Sequence, residues 1–317
     1  MNNTIETTII TADMMKVSSV LAPIEHKVIV LLGLGNPEPL YAKTRHNVAP
    51  LVLNAMSEQL ASVLKSKVDT HHGLITRTRS EPGKKHWKRH MSKFFDLEET
   101  EGEAIEHKKY LLDLNYQSIK GHGVKMVLLT PSINYNPAFD KSQLAQYDYD
   151  FKNNFNRSRI TYCLGYVDNT FMNSNGKVVA DFLSNQQDFF KQKLKGVNYY
   201  DGSPNPEILK ISNYILADDI ETSIGEIKIR NKDTSARGHN GFRSCSKHMQ
   251  KLDDLDYVKV SLGISLKKWD DNVFSKTVLR DFVLGKFSDK EVEYIYDYTI
   301  PKLWSELKKI EVVLPAK

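Results

Sequence analysis

Cysteine is scarce in this chain: two residues, Cys163 and Cys245, among 317. Two thiols cannot build a disulfide framework or a four-thiolate metal centre, and their scarcity points to a reducing compartment. Long apolar runs are missing too. No stretch of about eighteen apolar residues occurs, so no membrane-spanning helix is expected. A strong excess of one charge is also lacking. The 44 Lys and Arg face 39 Asp and Glu, a formal +5, which is compatible with a nucleic-acid partner without demanding one. Internal repeats are absent. Residues 1–26 hold one lysine, no arginine and three acids, the opposite of an arginine-rich targeting peptide, and read as a disordered extension. Catalytic serine and cysteine signatures are missing: there is no Gly-x-Ser-x-Gly elbow, and neither cysteine lies in a nucleophile motif.

What the chain does have begins at "KVIVLLGLGNPEPLYAKTRHNVAP", Lys27 to Pro50. The apolar run from Val28 to Leu32 reads as a buried strand, and Gly33-x-Gly35 follows it as in a dinucleotide-binding turn. The third glycine of that fingerprint is missing, and Glu38 stands between Pro37 and Pro39 instead. A pyrophosphate site at a helix start is therefore not expected. Gly33 and Gly35 permit a tight turn and close backbone approach, and the prolines keep a helix from taking over the segment. From Asn47 onward Val48, Leu51, Val52, Met56, Leu60, Val63 and Leu64 recur at helical spacing. Strand, loop and helix in that order open an α/β domain, in which ligands gather beyond the carboxyl ends of strands.

Further strands are expected at Ile160–Val167, Ile211–Leu216, Gly225–Arg230 and Tyr257–Ile264, and helices at Gly176–Lys195, Gly241–Lys251 and Asp289–Lys309. The alternation predicts an α/β fold with a mostly parallel or mixed sheet covered by helices on both faces, in a chain long enough for one large domain or two small ones. Residues 80–156 mix basic, acidic and Tyr/Asn-rich blocks with little periodicity and read as an insertion with one short strand at Val124–Leu129. Residues 196–206 read as a second, smaller insertion.

Polar residues gather beside the strand ends in four segments: Asn36, Tyr41 and His46; Asn173; Asp218; and His239 with Asn240. Each alone has an ordinary structural explanation, such as a turn asparagine or a capping aspartate. Together they supply what ester hydrolysis requires. A neutral imidazole takes a proton from water, a carboxylate fixes its tautomer, and amide NH2 groups donate to the developing oxyanion. With no nucleophile motif, direct attack by activated water is the economical mechanism. His71 with His72, and His86 with His90, lack a third ligand at a defined spacing and read as solvated side chains. No metal and no cofactor is expected.

The segments "GLGNPEPLYAKTRHNVA", "TFMNSNGKVV", "DTSARGHNGFRS" and "FVLGKFSDKE", in this order, resemble the bacterial-type peptidyl-tRNA hydrolase family in its fungal form. The likeness covers most of Val28 to Pro301 once the two insertions are set aside, and it implies one globular α/β domain over 27–317 with a twisted mixed, mostly parallel sheet flanked by helices. It implies His46 as the base that activates water and Asp218 as its orienting partner. Asn36 and Asn173 would hold the peptide and ester end, Asn240 water or the oxyanion, and Tyr41 and Met172 the pocket wall. His239 would brace the turn presenting Asn240. The implied partner is peptidyl-tRNA, with the ribosome as a second candidate, and the implied state is a monomer.

For tRNA phosphates the candidates are Lys228 and Arg230, alternating along "EIKIR", with Arg237 beside the "GHNG" turn. Ser261 stands where bacterial members often carry arginine, and Lys259 on the same strand face is the expected substitute. The family in eukaryotes often serves mitochondria, which places the mitochondrion ahead of the cytoplasm even though the N-terminal extension lacks the arginines of a transit peptide. Two rival readings accompany the enzyme: a noncatalytic RNA-binding protein of the same fold acting in ribosome assembly or RNA processing, and a hydrolase of some other ester or amide.

Overall fold

The computed structural model describes residues 25–69, 110–121, 123–135, 160–195, 208–250, 252, 255–265 and 275–310. Among these, seven strands, β1 (Glu25–Gly33), β2 (Tyr110–Gly121), β3 (Val124–Tyr135), β4 (Ile160–Val167), β5 (Ile208–Ser223), β6 (Ile227–Asn231) and β7 (Val258–Ser265), form one sheet in the order β2-β3-β4-β1-β5-β7-β6. β4, β1, β5 and β7 are parallel neighbours. The outer pairings, β2 with β3, β3 with β4 and β6 with β7, are antiparallel. The mixed sheet with a parallel centre is the fold class that the sequence predicts.

Among the described residues six α-helices accompany it: α1 (Val48–Asp69), α2 (Asn175–Leu194), α3 (Asn240–Met249), α4 (Lys276–Leu284), α5 (Asp289–Tyr294) and α6 (Ile300–Ile310), the last two joined by a π-helical turn at Ile295–Thr299. β1 shows why its sequence is apolar without alternation. Ile29 and Leu31 pack with Val52 and Met56 of α1 and Trp304 of α6, while Val28, Val30 and Leu32 face Val179 and Phe190 of α2 and Phe242 of α3. Both faces of a central parallel strand are covered, so both sets of side chains must be apolar. Among the described residues no helix is long and apolar enough to cross a membrane.

Several boundaries differ from the sequence reading. β1 begins at Glu25, and β5 runs on to Ser223 with a register shift between Asp219 and Ser223, so Asp218 lies within the strand, in register with Leu262 just before the shift, rather than beyond it. The expectation of a single short strand within 80–156 is corrected: β2 and β3 form an antiparallel hairpin, each 12 residues long, that extends the sheet. α4 was not anticipated as a helix. None of its residues is fully buried, and its apolar positions Val278, Leu279, Phe282 and Val283 stand at helical spacing over only 9 residues, a short run to read as a helix. The remainder of 80–156, the second insertion at 196–206, the extension up to residue 24 and the four histidines from His71 to His90 lie outside the described residues.

The chain leaves β1 for α1 on one face of the sheet and leaves β4 for α2 on the other. A crevice opens at such a divergence, at the carboxyl ends of the parallel strands.

Candidate active site

The loop after β1 is held from two sides by asparagines. Asn36 N–H donates to Asn47 Oδ1 at 2.8 Å, and Asn47 Nδ2 donates back to Asn36 O at 2.9 Å. Gly35 N–H donates to Asn175 Oδ1 at 2.9 Å, and the Asn175 NH2 group reaches the carbonyls of Thr170 and Phe171. Both asparagines are almost wholly buried, so these bonds replace water at backbone groups that would otherwise be unpaired. The roles of Asn47 and Asn175 were missed from sequence, although both stand inside the quoted motifs. A Cβ at Gly35 would lie 2.8 Å from the Pro50 ring, so the glycine is needed for the space it leaves to the start of α1.

With its backbone fixed, Asn36 presents its side chain to the crevice. Its Oδ1 accepts from Met172 N–H at 2.9 Å, which leaves the NH2 group for a ligand. Asn36 thereby links the loop after β1 to the Met172–Ser174 turn that precedes α2.

His46 lies in the turn Arg45–Asn47 that leads into α1. Its Nδ1 is 2.6 Å from Asp218 Oδ1, across 172 residues of sequence. His239 Nε2 is 2.9 Å from the same oxygen. His239 is also the N-cap of α3, its Nδ1 accepting from Phe242 N–H at 3.2 Å. An Nδ1 that accepts leaves the proton on Nε2, so His239 donates to Asp218. Gly238, at φ 79°, supplies the left-handed backbone that this turn needs. His239 braces the turn before Asn240, as expected, and in addition holds the carboxylate, which was not foreseen.

Asp218 is buried, and burial alone would raise its pKa; the two imidazoles outweigh this through charge and hydrogen bonding and hold it well below the usual carboxylate range. An ionised Asp218 accepts from His46 Nδ1–H, which leaves the His46 Nε2 lone pair free to take a proton. For His46 the largest influence is also burial, which opposes the charged form. The charge and hydrogen bond of Asp218 together exceed it, so the His46 pKa lies above its ordinary value. Nδ1 of His46, Asp218 and Nε2 of His239 come within 4.8 Å of one another, and in this arrangement both nitrogens serve the carboxylate as hydrogen-bond donors.

A cavity of about 960 Å³ opens in front of this group. Asn36, Tyr41, His46, Met172, Asn173, Asp218 and Asn240 all line it, as the sequence constellation requires. Tyr41 packs edge-on against Phe171 at 6.1 Å, forming an aromatic wall beside the asparagines. Asn240 begins α3, where backbone N–H groups and the helix dipole favour negative charge. The opposite wall comes from α4, through Leu279, Arg280, Val283 and Leu284. Their helical spacing runs over only 9 residues, a signal too short to single them out.

The expected phosphate contacts divide. Arg230 and Arg237 line the cavity, but each has an acidic partner: Arg230 reaches Asp219 at 3.3 Å and Ser261 Oγ at 3.0 Å, and Arg237 reaches Glu221 at 3.0 Å. Lys228 is half-buried on β6, opposite Ser261 and away from the cavity lining. Lys259 does not substitute for the missing arginine. It is 2% exposed, and its Nζ donates to Thr234 O at 2.6 Å beneath the ring of Phe242. The correction has a simple cause: Lys259 does share the strand face of Arg230, but α3 covers that face at its position.

A carboxylate-oriented histidine at the carboxyl ends of parallel strands, facing amide donors in a cleft, is an arrangement able to activate water for hydrolysis. The family model for peptidyl-tRNA hydrolase matches residues 30–119 and 134–311, and the chain belongs to that family. Among curated relatives, the peptidyl-tRNA hydrolase of Finegoldia magna is 32% identical over 126 residues, 40% of this chain and 50% of that protein. That of Prochlorococcus marinus is 27% identical over 172 residues, 54% of this chain and 71% of that protein. A probable peptidyl-tRNA hydrolase of Schizosaccharomyces pombe is 28% identical over 103 residues, 32% of this chain and 47% of that protein. The chain thus spans about half the length of the first and third of these relatives.

Proposed function

We propose that this protein hydrolyses peptidyl-tRNA, cleaving the ester between the peptide and the terminal ribose and so returning tRNA from stalled or aborted translation. Family membership supports the substrate class. The observation that carries the mechanism is the 2.6 Å contact of His46 Nδ1 with Asp218, which leaves Nε2 free at the cavity wall. His46 takes the proton of a water molecule as that water attacks the ester carbonyl, and ionised Asp218 stabilises the imidazolium that forms. Asn240, at the head of α3, donates to the oxyanion. The proton then passes to the departing ribose oxygen. On family grounds we place the enzyme in the mitochondrion ahead of the cytoplasm, acting as a monomer.

Selectivity for blocked substrates follows from Asn36. Its carbonyl is engaged by Met172 N–H, so the site offers an NH2 donor that suits a peptide carbonyl and finds no acceptor in a free ammonium. Release of product from N-acetyl-aminoacyl-tRNA and from unblocked aminoacyl-tRNA, by wild type and Asn36→Asp, tests this. Wild type should prefer the blocked substrate and the variant should lose that preference; unchanged selectivity would refute the assignment of Asn36.

The noncatalytic RNA-binding alternative draws on one feature, the burial of Lys259 beside Ser261, which leaves fewer free cations for the acceptor phosphates. Turnover separates the two readings.

A further inference from the structure

Arg45, the residue immediately before His46, turns its side chain toward the far end of the chain. Its NH2 group lies 2.8 and 3.1 Å from the two carboxylate oxygens of Glu291, across 246 residues of sequence. Its NH1 donates to Lys286 O at 3.0 Å, and the guanidinium carbon is 4.5 Å from the ring centre of Phe282 and 5.4 Å from that of Phe287. The ion pair is largely enclosed, with side-chain exposures of 14% and 8%.

Glu291 is fixed independently of Arg45. It completes the capping box of α5, with Oε2 accepting from both Ser288 N–H and Ser288 Oγ at 2.7 Å. The backbone around Arg45 is joined to the same region: Arg45 N–H donates to Gly285 O at 3.0 Å, Phe287 N–H donates to Lys43 O at 3.0 Å, and Thr44 bridges Lys286. The short segment 285–287 is also the root of α4, whose Leu279, Val283 and Leu284 wall the cavity.

We propose that Arg45 is a positioning residue: its ion pair with the preset carboxylate of Glu291, and its packing on Phe282, fix the His46 turn and the root of α4 to one point, so that base and cavity wall keep a common register. Arg45 touches neither substrate nor reacting atoms, and it acts through His46, whose place in the reaction rests on the function proposed above. A planar guanidinium is needed because one group must meet a carboxylate, a carbonyl and an aromatic face together, which an ammonium cannot do. A displacement of His46 of about 1 Å suffices to cost on the order of a hundredfold in rate.

The test uses the full chain with Arg45→Lys and Glu291→Gln, chosen because each keeps most of the native volume, together with Arg45→Ala. On N-acetyl-aminoacyl-tRNA both conservative variants should lower kcat about 10- to 100-fold with KM changed by less than about threefold. Arg45→Ala should recover part of its lost kcat when millimolar guanidinium is added. The imidazole of His46, followed by NMR, reports the same effect without any turnover: its titration should move to lower pH in both conservative variants as contact with Asp218 loosens. Folded variants with wild-type kcat and an unmoved His46 titration would overturn the proposal. Wild-type protein without turnover but with the predicted NMR shifts would count against the enzymatic reading alone and leave the positioning role standing.

Discussion

Asp218 Oδ1 accepts from both His46 and His239, at 2.6 and 2.9 Å, so one buried oxygen is shared by the proposed base and by the cap of the helix that begins with Asn240. His46 and the head of α3 are therefore positioned against the same atom.

The activity should rise with pH. His46 must be neutral to accept a proton, and its pKa is raised above 6.5, so kcat/KM should climb through an apparent pKa higher than that value and then level off. In Asp218→Asn the raising influences disappear while burial, which lowers the pKa, remains. The inflection should then fall to lower pH and the plateau drop by about 10²–10⁴-fold. An unmoved inflection in a folded variant would remove Asp218 from this role.

His239 permits its two tasks to be separated. His239→Ala loses the cap of α3, at a cost of about 1 kcal/mol in denaturant unfolding, together with the bond to Asp218. His239→Asn restores a capping side chain without restoring the imidazole donor. Stability should return in the second variant while kcat stays depressed. Recovery of kcat along with stability would show that His239 acts through the fold alone.

Asn47 accounts for the His-Asn pair of the sequence motif: in the proposed mechanism the histidine does the chemistry, and the asparagine holds Asn36. Asn47→Ala leaves a backbone donor and an acceptor of Asn36 without partners in a buried setting, and should destabilise the chain by about 1–3 kcal/mol for each unpaired group. Urea unfolding measures this directly. A change within about 0.5 kcal/mol, the ordinary range for surface positions, would contradict it.

Much of the candidate site was legible because the motifs are local. "GNPEPLYAKTRHN" places Asn36, Tyr41 and His46 within one loop, and a strand followed by a polar residue announces a site at its carboxyl end. The partners that hold these side chains lie elsewhere in the chain: Asn175 for Gly35, Glu291 for Arg45 and His239 for Asp218. No periodicity connects them, since each pairing arises only when the sheet brings distant loops together. β2 escaped for a different reason. Leu112, Leu114 and Tyr116 alternate with Asp113, Asn115 and Gln117, a period of two too short to stand out beside the charged runs before it. Lys259 shows the limit of strand alternation, which gives the face of a residue and not what covers that face.

The two basic positions on β6 and β7 should behave oppositely. Lys259→Met removes a buried ammonium that is bonded within the protein and should leave KM for N-acetyl-aminoacyl-tRNA within about twofold, since binding in this account uses other groups. Arg230→Ala removes a cavity-lining cation and should raise KM and reduce the salt dependence of tRNA binding by about one phosphate contact. A large KM effect from Lys259→Met would restore it as a phosphate ligand.

The most direct measurement is the hydrolysis rate of N-acetyl-aminoacyl-tRNA by wild type and His46→Ala, with tRNA affinity measured on the same preparations. The account predicts turnover by wild type and a loss of at least about 10³-fold in the variant, with affinity retained. Full turnover by His46→Ala, or wild-type protein that binds tRNA and releases no product, would contradict it.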